Sequence, residues 1–145
     1  MTSPPFSLSV PAEPRFLRAV RAFFRGVLGE VCGDETEMVV LALDESCSNV
    51  LKHRKAGVGG GLLRIEAQTR PDSVSIRIHD FCSPEDVPQI KPRDLKAVRP
   101  GGLGTHFVGE IMDRVDFEPD PRDPGCVDLV LEKTLRPRKG EGGAP

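Results

Sequence analysis

Leu43-Asp44-Glu45-Ser46-Cys47-Ser48-Asn49-Val50-Leu51-Lys52-His53 sets a carboxylate, Glu45, and a carboxamide, Asn49, four positions apart inside an otherwise apolar helical run. At ~3.6 residues per turn, positions i and i+4 lie only about 40° apart around the axis. Both groups therefore point the same way, on one stripe with Met38 and Ala42. An ionisable group buried beside apolar neighbours is destabilising unless it is paired or has a task. The task that suits this pair is to hold a base and a metal ligand over a phosphate.

Upstream, Phe6, Leu8 and Val10 alternate with serines in the period of a half-buried strand. From Glu13 to Leu28 the positions Phe16, Leu17, Val20, Phe24, Val27 and Leu28 recur at three-and-four spacing, an amphipathic helix with Arg15, Arg18, Arg21 and Arg25 opposite. Gly33-Asp34 breaks it and caps a second helix, Glu35 to Lys52, with Glu37, Asp44 and Ser48 on its wet side. Downstream, Leu63 to Thr69 and Val74 to Ile78 alternate as two strands joined at Arg70-Pro71-Asp72-Ser73. Asp80 shares the parity of Val74, Ile76 and Ile78, so its carboxylate is expected on the covered face. Four prolines keep Ser83 to Gly102 irregular. Gly101-Gly102-Leu103-Gly104 then opens a third helix bearing Phe107, Val108, Ile111, Met112 and Val115. Val115-Asp116-Phe117 and Val127 to Leu131 supply the last strands. This order predicts a two-layer α/β sandwich, a mostly antiparallel sheet covered on one face by three helices.

A chain of 145 residues suits one domain, placed at 1–135 with a disordered tail at 136–145. No apolar run reaches the ~20 residues of a membrane span, and Met1-Thr2-Ser3-Pro4-Pro5 does not open a signal peptide. The expectation is a cytoplasmic protein without membrane contact. The net charge of −2 argues against direct nucleic-acid binding. Cys32, Cys47, Cys82 and Cys126 include no CxxC pair and are expected as reduced thiols. His53, His79 and His106 are scattered without metal-ligand spacing. The arginine side of the first helix is expected to be solvated, with protein contact as its alternative use.

Three segments thus carry chemistry: Glu45 with Asn49, Asp80, and the turn at Gly102, Leu103, Gly104 and Thr105. Glycines let a backbone approach phosphates, and free amides at a helix N-terminus add partial positive charge. Mg²⁺ wants hard oxygen ligands, which Asn49 offers without added charge. Asp80 suits the exocyclic amine of adenine. The glycine turn is neither a Walker A motif nor a dinucleotide fingerprint.

Taken together, these segments resemble the anti-sigma-factor serine/threonine kinases, a branch of the GHKL ATPase superfamily, from about Phe6 to Leu135. The likeness rests on Leu43 to Asn49 as N box, Ile78-His79-Asp80-Phe81-Cys82 as first glycine box, and Gly101-Gly102-Leu103-Gly104-Thr105-His106-Phe107-Val108 with Ile111-Met112-Asp113 as the second. The resemblance implies a Bergerat-type ATP-binding fold with Glu45 as general base and Asn49 as Mg²⁺ ligand. It implies Asp80 as adenine contact, Gly102 with Gly104 as phosphate turn, and 83–100 as ATP lid. Lys91, Arg93, Lys96 and Arg99 stand in that lid. ATP and Mg²⁺ are the implied cofactors. The implied partners are an anti-anti-sigma (STAS-type) protein phosphorylated on serine, a sigma factor, and a second copy in a homodimer. Cys82 departs from the family, which usually has glycine there. That departure keeps open an alternative, a partner-switch binding module with a degenerate ATP site. A sensor histidine kinase would need dimerisation helices bearing a phospho-acceptor histidine, and gyrase-like ATPases would need a second domain.

Overall fold

Period-two alternation becomes five strands in the computed structural model of the chain, which describes residues 5–53, 61–81, 103–122 and 125–136. They are β1 (Phe6–Pro11), β2 (Leu62–Arg70), β3 (Ser73–Phe81), β4 (Arg114–Pro119) and β5 (Val127–Thr134). The sheet order is β1-β2-β3-β5-β4, and every pairing is antiparallel. Pro71-Asp72 closes the β2–β3 hairpin with Arg70 opposite Ser73, the turn chemistry such a pair favours. In β2, Leu63, Ile65, Ala67 and Thr69 are buried while Leu62, Arg64 and Arg70 are exposed, so the pleat sorts the side chains as the alternation requires.

Among the described residues three helices supply the second layer: α1 (Leu17–Cys32), α2 (Thr36–His53) and α3 (Leu103–Ile111). The first starts later than Glu13 because Pro14–Phe16 forms a 3-10 turn, and it runs on past Leu28. Its extension follows the same stripe, since Leu17, Val20, Phe24, Leu28 and Cys32 are all buried. Gly33 stops it with φ 55°, a left-handed backbone that a glycine adopts without a Cβ clash. Thr36 Oγ donates to the Gly33 carbonyl at 2.7 Å, fixing the corner into α2. The third helix ends at Ile111, short of Val115, because the Asp113 N–H donates to the Glu132 carbonyl at 2.9 Å and the chain turns into β4.

A single apolar cluster fills the space between the layers, joining Phe24 and Leu28 of α1, Leu43 and Cys47 of α2, Ile65 and Ile76 of the sheet, and Val108 of α3. The wet side assigned to α2 is partly covered. Arg21 holds Asp44 at 2.8 Å and Arg25 holds Glu37 at 2.8 Å, so half of the arginine row stitches α1 to α2. At the end of β5 the Arg136 N–H donates to Glu35 Oε2 at 3.0 Å, which ties the chain down through that residue; 137–145 lie outside the described residues.

Cys126 corrects the thiol expectation. It is disulfide-bonded, whereas Cys32 and Cys47 are buried thiols outside any disulfide. Its partner lies outside the described residues. Sequence spacing is silent here because an antiparallel sheet brings cysteines together across long separations.

Candidate functional site

Register decides which ends of the elements meet. Pro11, Leu62, Phe81, Val127 and Pro119 stand at one end of the sheet; Arg70, Ser73, Thr134 and Arg114 stand at the other. The pairs Arg21–Asp44 and Arg25–Glu37 show α1 and α2 running antiparallel, so α2 climbs back and its second half lies at the end where β2 begins. Lys133 Nζ donates to the Ile111 carbonyl at 2.9 Å, which pins the last residue of α3 to the opposite end and directs Leu103 toward the first. The topology therefore carries the second half of α2, the last residues of β3 and the start of α3 to one end of the sandwich. Within the helical layer α2 packs between α1 and α3 and lies against β3.

On α2, Glu45 and Asn49 are both half-buried, one turn apart on one stripe. Glu45 makes no hydrogen bond or ion pair among the described residues, whereas Asn49 is engaged. Behind them Ser46, Cys47 and Val50 are buried, so the helix cannot rotate this stripe away without exposing core. Burial, with a smaller push from nearby Asp44, drives the Cys47 thiol well above its ordinary range. Iodoacetamide at pH 8 is therefore expected to label Cys47 more than about 100-fold more slowly in the native protein than in urea. Peptide mass spectrometry reads this, and native labelling at the unfolded rate would mean that α2 opens readily.

The other predicted residues divide by what the structure describes. The backbone of Asp80 belongs to β3 where the ladder with β5 slips register between His79 and Phe81, a bulge of the kind that re-aims a side chain. Leu103, Gly104 and Thr105 form the first turn of α3, where backbone N–H groups have no intrahelical acceptor. The side chains of Asp80, Leu103 and Thr105 lie outside the described residues, as do Cys82, Gly102 and the lid at 83–100 with Lys91, Arg93, Lys96 and Arg99. At the opposite end, a cleft of about 870 Å³ opens between Met38, Phe107, Glu35 and Lys133.

One polar constellation escaped the sequence reading altogether. On the sheet face away from the helices, His79, Asp120 and Asp128 are buried together with Arg77 and Glu118 beside them. The only local signal was Asp128, a carboxylate between Val127 and Leu129 in an apolar strand.

Comparison with known proteins agrees with this architecture. Residues 10–132 match the family model described as a histidine kinase-like ATPase domain. A protein named serine-protein kinase RsbW from Halalkalibacterium halodurans is 25% identical over 139 residues, 89% of this chain and 82% of that one. The Staphylococcus aureus protein of the same name is 26% identical over 145 residues, 92% of this chain and 91% of its own. Among solved structures, the RsbU and RsbW domains of a Mycobacterium tuberculosis protein superpose with a TM-score of 0.62 at 20% identity, over 93% of this chain and 34% of that one. A chain of the SiaB-SiaC complex from Pseudomonas aeruginosa superposes with a TM-score of 0.58 at 12% identity, over 90% of this chain and 89% of that one. The last two likenesses concern the fold.

Proposed function

Because the chain belongs to the histidine kinase-like ATPase domain family, we propose that it is an ATP-dependent serine/threonine protein kinase of a partner-switching system. Its substrate is a serine on an anti-anti-sigma (STAS-type) protein, and it binds a sigma factor as a cytoplasmic homodimer. The observation that carries this reading is the half-buried Glu45, without a partner among the described residues and one turn before Asn49, on the helix whose second half shares an end with the start of α3. The relatives named serine-protein kinase support it further.

Phosphoryl transfer asks for positioning and charge neutralisation more than covalent chemistry. Glu45, with no cation or donor among the described residues competing for its oxygens, accepts the proton of the attacking serine hydroxyl. ATP supplies the γ-phosphoryl group, with Asn49 as the amide ligand to Mg²⁺. Backbone amides of Leu103, Gly104 and Thr105, with Gly102 before them, would hold the phosphates, and Asp80 would receive the adenine amine. Cys82, where the family it resembles usually has glycine, favours a second reading: a partner-switch module whose nucleotide pocket no longer turns over.

A fluorescent ATP analogue titrated with and without Mg²⁺ tests the pocket. Wild type is expected to bind more tightly with Mg²⁺, while Asn49→Ala loses that dependence and at least about 10-fold in affinity. Binding that Mg²⁺ does not strengthen, with Asn49→Ala equal to wild type, would sink the ligand assignment. Tight binding without phosphate transfer to any co-purified partner would favour the switch module.

A further inference from the structure

His79 and Asp128 are cross-strand partners on β3 and β5. Asp120 follows the end of β4, held there by its N–H donating to the Cys126 carbonyl at 2.9 Å. Two carboxylate oxygens converge on one ring nitrogen: His79 Nδ1 lies 2.9 Å from Asp120 Oδ2 and 3.0 Å from Asp128 Oδ1. The three side chains are 4%, 9% and 0% exposed in the order His79, Asp120, Asp128. The outer oxygens have donors of their own. Asp128 Oδ2 accepts from Arg77 Nη1 at 3.0 Å, and Asp120 Oδ1 accepts from the Arg122 N–H at 2.8 Å. Across the ring, His79 Nε2 faces Glu66 Oε1 at 3.6 Å, and Arg122 Nη2 holds that same oxygen at 2.6 Å.

Carboxylates so placed repel one another unless a cation sits between them. A single proton on Nδ1 that points to Asp120 at 2.9 Å leaves the fully buried Asp128 Oδ1, 3.0 Å from the same nitrogen, with no hydrogen-bond partner among the described residues, an arrangement that is destabilising for a charged oxygen. A metal ion engages all three atoms at once. We propose that His79 Nδ1, Asp120 Oδ2 and Asp128 Oδ1 form a binding site for a divalent first-row transition cation. One imidazole and two carboxylates are a ligand set such ions accept. The surroundings match as well, since a metal-bound histidine usually turns its second ring N–H to a carboxylate and bound carboxylates are themselves hydrogen-bonded. Arg77 and the Arg122 amide occupy those outer places on the carboxylates, and the carboxylate that faces His79 Nε2 is Glu66, 3.6 Å away and beyond hydrogen-bond length until the ring or Glu66 shifts. Tetrahedral ligands with bonds of about 2.1 Å stand roughly 3.4 Å apart, so the carboxylates need move outward only by a few tenths of an ångström. An ion held there fastens β3, β5 and the turn after β4 together, on the sheet face opposite the helical layer that carries Glu45. Its role is structural and does not depend on the kinase reading.

Cobalt(II) is the probe, added to the nucleotide-free full chain and followed by visible absorption. One saturable site per chain is expected, with nitrogen/oxygen d–d bands and no thiolate charge-transfer band. Asp120→Asn is expected to weaken uptake at least about 100-fold and Glu66→Gln about 10-fold. Asp116→Asn removes a charge from β4 but no ligand, and should stay within about two-fold of wild type. Circular dichroism checks each fold; should Asp128→Asn not fold, Asp120→Asn decides. Wild type that takes up no cobalt at millimolar concentration overturns the proposal and leaves His79 with a proton only. Equal affinity in wild type and Asp120→Asn overturns it too.

Discussion

Glu45→Gln is expected to slow phosphate transfer to the acceptor serine by about 10²–10⁴-fold, the usual contribution of a positioned general base. Glutamine keeps the length and shape of the side chain and removes only its capacity to take a proton. Glu45 is half-buried without a partner among the described residues, so the substitution breaks no ion pair, and stability should move by less than about 0.5 kcal/mol. Nucleotide affinity should hold as well, because the phosphates are proposed to rest on the α3 turn and Mg²⁺ on Asn49. The signature is therefore a fall in kcat with the dissociation constant for ATP unchanged. Initial rates of phosphoserine formation at saturating ATP, beside an equilibrium titration, provide both numbers. Transfer by Glu45→Gln at the wild-type rate would return Glu45 to an ordinary half-exposed helix residue.

That prediction was reachable from the sequence because the stripe of Glu45 and Asn49 is a local property. A period of 3.6 is written into successive residues, and α2 runs Thr36–His53 where the apolar spacing puts a helix. The β2–β3 hairpin was legible for the same reason: alternation on both sides of Pro71-Asp72 leaves one register that buries Ile65 and Ile76 together. Long-range pairings are another matter. Nothing near Arg21 or Arg25 points to Asp44 and Glu37, 23 and 12 residues away. Nor does the sequence near Val115 say whether it continues a helix or starts a strand; the bond from Asp113 to Glu132 decides that.

Strand order hid the most. Placing β5 between β3 and β4 is what sets Asp128 beside His79 and swings Asp120 over both, from positions that share no spacing pattern. The same placement puts Arg77 between Asp128 and Glu118 at 3.0 Å each. It also sets Arg114 against Glu118 and Glu132. Read along the chain, these acids and bases look like solvated strand faces. Assembled, they form a layer dense enough to bury a carboxylate completely. The N box and the glycine boxes lie in contiguous motifs, whereas His79, Asp120 and Asp128 meet only through strand order.

Phe24→Ala is expected to destabilise the fold by about 3–5 kcal/mol, the range for emptying a buried aromatic site. Phe24 is fully buried on α1, where its ring meets Phe23 edge to face with centroids 5.0 Å apart. Beneath it the core joins α1 and α2 to the strands, and neither helix can collapse inward without dragging the Arg21–Asp44 and Arg25–Glu37 pairs. The Arg21–Asp44 pair is part-buried and the Arg25–Glu37 pair exposed, and solvent-screened pairs of this kind contribute too little to offset the cavity. Against a total stability of about 5–15 kcal/mol for a domain of this kind, the loss is large enough to move the urea midpoint by more than about 1 M at an unchanged m-value. Function should suffer only through the folded fraction, since Phe24 lies on α1 rather than on the α2 stripe. At low temperature, where the variant is still folded, kcat should therefore equal that of wild type. A midpoint shift of under about 0.5 M would mean that α1 contributes little to holding α2, and with it the Glu45 stripe, in place.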